Sequence, residues 1–336
     1  MNSKSEVVVV TGAGLGRAIA CAFAKRGAKV GLIARGGAGM AGLEGAKRDV
    51  ERFGGTALIL PCDVADASQV EEAARKAELE LGPIDIWVNN AMASVFGPVQ
   101  DSEAADFKRV TEVTYLGQVY GAMSSLRRMR TRDRGRIVLV GSALAYRGIP
   151  LQSAYCGAKH GIQGFADSLR AELLHEKSGV KLCMVQMPAM NTPQFDWVKN
   201  LLPNKAQPVP PIYQPEVAAE AVYWAARHGR REIFVGASTV IAILGNKLFP
   251  QVGDWYLGRT GFKSQQRLGQ PKDGSAPNNL WEALPGDRGA HGDFDAQAKS
   301  FTPQLWLSLN RKWLALAALS VVGAVMLGRT VMGYRK

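Results

Sequence analysis

Cysteine is scarce and scattered. Cys21, Cys62, Cys156 and Cys183 stand far apart in 336 residues, without CxxC or Cys/His spacing. A disulfide framework and a zinc site are thereby excluded, and a reducing compartment fits best. Histidine is equally rare. His160, His175, His228 and His291 show no metal-ligand spacing, so no metal is expected. The first six residues lack a basic start and an apolar core, so no signal peptide is expected. No solenoid-length repeat occurs, and no base-reading motif accompanies the positive charge, which argues against nucleic acid. Acidic residues are the minority, 29 against 41 Lys and Arg, for a net charge of +12. The excess is denser in residues 251–336, which hold 11 basic and 6 acidic side chains. An anionic membrane surface or cofactor phosphates suit that balance.

Apolar residues make up 47% of the chain and charged residues 21%, enough for a packed core and too apolar for global disorder. Short β-branched runs at 7–10, 30–34, 57–62, 84–88, 137–140, 180–186 and 233–235 alternate with stretches of helical period. That alternation predicts a Rossmann-type α/β fold: a doubly wound parallel sheet of about seven strands, with helices on both faces. Near-continuous apolar strands agree with burial on both sides.

Three motifs carry chemistry. In VVVVTGAGLGRAIA, Thr11, Gly12, Gly14 and Gly16 fall where the first strand turns into a helix. Glycines there let the backbone approach a diphosphate that the helix N-terminus stabilises; a merely tight turn is the plainer alternative. Arg35 ends the second strand, with no carboxylate between Val30 and Met40. An arginine at that point accommodates a ribose 2′-phosphate, which favours NADP(H) over NAD(H), although an exposed strand-end arginine looks the same. Tyr155 and Lys159 are four apart on one helix face, thirteen residues beyond Ser142 on a strand-end loop. An ammonium near a phenol favours the phenolate and brings it toward useful acid/base range, and a serine hydroxyl donates to a carbonyl or alkoxide oxygen.

With these residues in view, the chain resembles the short-chain dehydrogenase/reductase family over roughly residues 6–236. Asp63 and Val64 after the third strand, Asn89, Asn90 and Ala91 after the fourth, and Pro188 and Thr192 beyond the sixth also match. The resemblance implies an NAD(P)-dependent oxidoreductase. Tyr155 would transfer the proton, Lys159 would bind the nicotinamide ribose and lower the tyrosine pKa, and Ser142 would orient the substrate oxygen. Asp63 and Val64 would hold the adenine, and Asn90 would support the cofactor. Pro188 and Thr192 complete the cofactor set. Two departures stand out. The glycine turn is two residues shorter than the family's, and the asparagine of its proton relay is matched by Thr114, a hydroxyl in place of an amide. Family members often form homo-oligomers through helices of the fourth and fifth crossovers.

Beyond residue 236 the character changes. Residues 237–262 read as an apolar extension, 263–304 as an irregular polar arm or linker, and 305–336 as a candidate membrane-anchoring helix. Residues 313–328 form an uncharged run of about 24 Å as a helix, flanked by basic residues; 330–334 extend the span, and Trp313 and Tyr334 sit where interfacial aromatics are expected. A helix docked on the globular part is the alternative. Arg127, Arg128, Arg130, Arg132, Arg134 and Arg136 crowd one helix end, read as a solvated end or a contact with anionic lipid. Cys156 reads as a small packing residue. The apolar segment after the sixth strand occupies the family's substrate-loop position, which suits a lipophilic alcohol or ketone. The expected protein is a membrane-associated NADP(H)-dependent carbonyl reductase or alcohol dehydrogenase, with its catalytic domain in the cytoplasm and membrane lipid as a partner. A non-catalytic dinucleotide-binding scaffold on a membrane is the alternative.

Overall fold

The structure, a computed structural model, describes residues 5–311 and Trp313. The apolar runs form a seven-stranded sheet: β1 (Val7–Thr11), β2 (Lys29–Ala34), β3 (Thr56–Pro61), β4 (Ile86–Asn89), β5 (Gly135–Val140), β6 (Val180–Gln186) and β7 (Glu232–Phe234). Their spatial order is β7-β6-β5-β4-β1-β2-β3, with every neighbouring pair parallel. Between β1 and β4 the winding reverses, and the crevice beyond the strand ends at such a switch point is where α/β sheets bind ligands.

The strands are apolar throughout because both faces are covered. Val8, Val10, Val30 and Leu32 pack under α1 (Leu15–Ala24), α2 (Met40–Arg52) and α8 (Pro215–His228). Val7, Val9, Ile33 and Trp87 face the other way, onto α3 (Ala67–Leu81), α5 (Gly117–Arg130) and α6 (Ser153–His175). Helix α4 (Ala104–Thr111) joins α5 through a π-helical turn, Glu112–Leu116. Such turns are rare and often mark functional sites.

The arginines at the end of α5 are not a free basic patch. Arg127 and Arg128 pair with Glu71, Arg128 also with Glu78, Arg130 with Glu176 and Arg134 with Asp85. These hydrogen bonds hold the Glu71 carboxyl at about 2 against the opposing effect of burial. The acids come from α3, α6 and the start of β4, all distant in sequence.

Residues 237–262 fold mainly into two helices, α9 (Ala237–Leu248) and α10 (Pro250–Ser264), after the four-residue α7 (Gln194–Trp197) in the substrate loop. Residues 263–304 were expected as a free polar arm, and the structure packs them onto the domain. Gln266–Pro271 pairs antiparallel with Asn204–Ala206, Leu280 is fully buried and Phe294 nearly so. Residues 303–311 are helical, with Leu305 in the core. No described helix is long and apolar enough to cross a membrane. The expected anchor 313–328 lies, except for Trp313, outside the described residues.

Candidate active site

The strand ends open into a cavity of about 490 Å³. At one end lies the glycine turn. Gly12 and Gly14 line it with φ of 90° and 57°, a region where glycine carries no steric cost. The shortened turn starts α1 directly at Leu15, with no side chain capping the helix, so its first turn stays open toward the cavity. A Cβ on Gly12 would sit 2.8 Å from the Ala91 Cα. Arg35, Asp63, Val64, Asn90, Pro188 and Thr192 also line the cavity.

Thr11 and Gly16, expected to hold cofactor, do not line it. The Thr11 hydroxyl accepts from the Asn90 and Ala91 N–H groups at 2.9 and 3.0 Å, and its carbonyl accepts from Asn90 Nδ2 at 2.9 Å. These bonds tie β1 to the loop after β4. A Cβ on Gly16 would approach Asn90 Nδ2 to 2.9 Å, so this glycine lets α1 pack close. The two residues shape the site from beneath.

At the other end, α6 delivers Tyr155 and Lys159 to the same wall as Ser142. The Ser142 Oγ accepts from Leu144 N–H at 3.1 Å, which leaves its proton free to donate. Lys159 is fully buried and donates to the Val140 carbonyl at 2.7 Å; Gln118 Nε2 donates to the same oxygen at 3.1 Å. Burial raises the Tyr155 phenol above its ordinary range, and a hydrogen bond with Ser142 works the other way. Burial also pulls the Lys159 ammonium down to about 7. The expected lowering of the tyrosine by Lys159 is therefore not what this state displays. Lys159 spends its hydrogen bond on Val140, 5.5 Å from the Tyr155 ring centroid, and desolvation governs both groups.

Thr114 is not aimed at this wall. It lies in the π-helical turn, where its hydroxyl donates to the Ala93 carbonyl at 2.8 Å and accepts from the Ala93 N–H at 2.9 Å. Its one proton is spent on the Ala93 carbonyl, so in this arrangement the hydroxyl clamps the loop after β4. Cys156 is buried beside the site as a packing residue.

Several site residues had no signal in the sequence. Arg109 pairs with Asp63, which also accepts from Ala65 N–H, so the acid expected to meet adenine is held by the chain itself. Arg109 further donates to the Leu280 carbonyl at 3.1 Å, and Arg35 donates to that of Asn279. Arg17 pairs with Asp287. Residues 279–289 thus strap the cavity's Arg35 end. Arg147, five residues past Ser142, reaches Asn246, the Pro250 carbonyl and Asp254, pinning α9 and α10 to the catalytic loop. Backbone carbonyls receive three of these bonds, and a carbonyl has no residue-type signature. A charged Arg109 beside the apolar Val110 and Val113 was the one visible anomaly.

The model of the short chain dehydrogenase family matches residues 6–200. The chain belongs to that family. Among its relatives, the chain is 33% identical to YxnA, an uncharacterized oxidoreductase of Bacillus subtilis, over 297 residues covering 86% of this chain and 82% of that protein. It is 31% identical to a fatty acyl-CoA reductase of Acinetobacter baylyi over 67% of this chain and 74% of the relative. A 3-dehydrosphinganine reductase of Danio rerio is 35% identical, the match spanning 56% of this chain and 57% of the relative. The residues present fit a nicotinamide dinucleotide, the family's cofactor. Gly12 and Gly14 supply a side-chain-free turn at a helix start, and half-buried Arg35 keeps its buried Nη1 without a partner.

Proposed function

We propose that this dehydrogenase uses NADP(H) to interconvert a carbonyl and an alcohol on a lipophilic substrate. It does so at a membrane, with membrane lipid as its partner and its catalytic domain in the cytoplasm. The observation that carries the reaction is the convergence of Ser142, Tyr155 and Lys159 on one cavity wall. The nicotinamide, when bound, gives or takes the hydride. Ser142 Oγ donates a hydrogen bond to the substrate oxygen and fixes it. The Tyr155 hydroxyl gives that oxygen a proton in reduction and takes one in oxidation. Lys159, held by Val140, places its ammonium beneath the ring. Arg35, with one nitrogen on Asn279 and the other unpartnered, is the group for a 2′-phosphate. Ile149, Phe195, Val209 and Leu257 line the substrate side, which supports an apolar substrate, as do the printed activities of the two reductase relatives.

The test is turnover of a panel of long-chain ketones and alcohols with NADPH and NADH. Tyr155→Phe is expected to lose about 10²–10⁴-fold in rate while binding NADPH as before. A variant keeping more than about a tenth of the rate would sink the acid/base assignment, given what positioned proton transfer contributes. NADPH binding without turnover across the panel would favour the scaffold. Arg35→Asp should shift preference toward NADH by repelling the phosphate; tighter NADH binding by the unaltered protein would overturn it. For the membrane, Val321→Arg with Val322→Arg in the full chain should move protein from the pellet to the soluble fraction. An unchanged distribution would remove the 313–328 run as the anchor.

A further inference from the structure

Helices α9 and α10 leave a large share of their apolar side chains outside. An ordinary surface helix turns its apolar stripe inward. Here α10 turns Gly253 and Gly261 inward, where a Cβ would meet Arg147 at 3.0 Å and Pro150 at 2.5 Å. Outward it presents Val252, Trp255, Tyr256 and Phe262, spaced along one face of the helix. Helix α9 buries Ile243 yet also turns Ile241, Leu244 and Leu248 outward, and Phe249 joins the two. These eight side chains are 46–69% exposed. Isolated exposed apolar residues are ordinary, whereas a continuous set on one hairpin marks a surface that meets something apolar.

We infer that the outer face of α9 and α10 docks on an anionic phospholipid surface and lays one wall of the substrate cavity along the bilayer. Three observations choose lipid over a protein partner. The charges on the hairpin are Lys247, Arg259 and Lys263 against Asp254 alone, and Asp254 is paired with Arg147. Arg259 and Lys263 share the exposed face of α10 with Val252 and Tyr256, so that face is apolar and cationic together, and each basic side chain near anionic lipid adds roughly 1 kcal/mol. Trp255 and Tyr256 are the aromatic types that settle at headgroup depth, and the Arg259 guanidinium stacks 3.9 Å from the Trp255 ring, a cation held above an apolar body. The third is continuity with the cavity. Ala242 and Leu257, on the inner side of the same helices, line it. One layer of helix therefore separates cavity from apolar exterior, so a docked face would hold the cavity of a lipophilic substrate next to the lipid that contains it.

The inference rests on the lipophilic-substrate reading for its purpose, but its test needs no turnover. The full chain is labelled with an environment-sensitive thiol probe at Val252→Cys or Phe262→Cys in a Cys21→Ala background, the other three cysteines being buried. Leu79→Cys, exposed on α3, is the control. Each is mixed with vesicles of phosphatidylglycerol and phosphatidylcholine that carry nitroxide-labelled lipid. Quenching by lipid at 252 and 262, with iodide in the water quenching only at 79, is the expected result. It should weaken with vesicles of phosphatidylcholine alone. Three results would overturn it. Failure to bind the vesicles removes lipid as the occupant. Iodide quenching at 252 and 262 on bound protein leaves the hairpin in water, with the chain held elsewhere. Protection from both quenchers means that protein, a second copy or residues 314–336, covers the face. A dead enzyme whose labels still meet lipid would break the catalytic reading and leave this one standing.

Discussion

Two sets of buried polar side chains surround the cavity, and they differ in how their hydrogen-bonding capacity is spent. Beneath the site, Thr11 accepts from N–H groups of the loop after β4, Thr114 both donates and accepts there, and Asp63 is held by Arg109 and Ala65. On the walls, Lys159 has one bond for three donors and Arg35 keeps a buried nitrogen unpaired. Buried polar groups normally find partners. The first set holds the fold, while the second keeps capacity that a ligand in the cavity would use. Substitution should tell Thr114 from Lys159 by sign: removing the spent hydroxyl costs stability, and removing the buried ammonium restores it.

Lys159 gives the largest expected effect. Its ammonium titrates at 10.5 when unburied and near 7 in the fold. Between those values the unfolded chain binds the extra proton, so stability rises with pH across that window and the cost of burial is fullest below about 7. Lys159→Met should stabilise the ligand-free protein by about 3 kcal/mol near pH 6, at 1.36 kcal/mol per pKa unit less the lost bond to Val140. The gain should shrink below about 1 kcal/mol near pH 10. Urea unfolding of both proteins at the two pH values measures this. A destabilised Met variant at low pH would show the lysine to be a fully satisfied structural group.

Thr114→Val is the counterpart. The swap keeps shape but strands the buried N–H and C=O of Ala93, a loss of about 2 kcal/mol. Because the hydroxyl reaches Ala93 and not Tyr155, turnover per folded molecule should hold and its pH profile should keep its shape. A large fall in rate with stability unchanged would return Thr114 to a proton relay.

The same contrast governs what was legible in the sequence. The seven strands were, because β-branched runs buried on both faces leave a signature that needs no knowledge of partners. Ser142, Tyr155 and Lys159 were legible too, since strand, loop and helix periodicity together place them on one wall. The floor was not. Thr11 looks the same at a strand end whether its hydroxyl meets a phosphate or the N–H of Asn90, and only the register of β1 against β4 decides. The strap over Arg35 was invisible because Gly, Pro, Asn and Asp describe a loose arm equally well. What docks it is Arg35 and Arg109 reaching backbone carbonyls some 170 to 240 residues away. The hairpin's outward apolar face likewise cannot be told from an inward one by periodicity alone.

The smallest expected effect lies on that strap. His291 bridges it to the domain, one ring nitrogen 2.9 Å from Glu216 and the other 2.8 Å from Asp295, which also accepts from Asn191 and Gln214. Desolvation opposes the charged ring, but the two carboxylates outweigh it and raise the imidazole above its ordinary 6.5. The clasp's contribution is thus complete below that value and disappears as pH climbs through the raised one. Arg17 on Asp287 and Arg35 on Asn279 hold the strap at other points without titrating there. Alkaline conditions should therefore loosen residues 291–298 locally and leave the sheet intact. Amide exchange of Ala298, whose N–H bonds to the Phe294 carbonyl at 2.9 Å, reports it. After correction for the intrinsic rate, its protection should drop between about pH 6 and pH 8.5 in the wild type and stay level, and lower, in His291→Asn. Protection that is flat across the window in the unaltered chain would show the imidazole to be a bystander and the arginines to carry the strap.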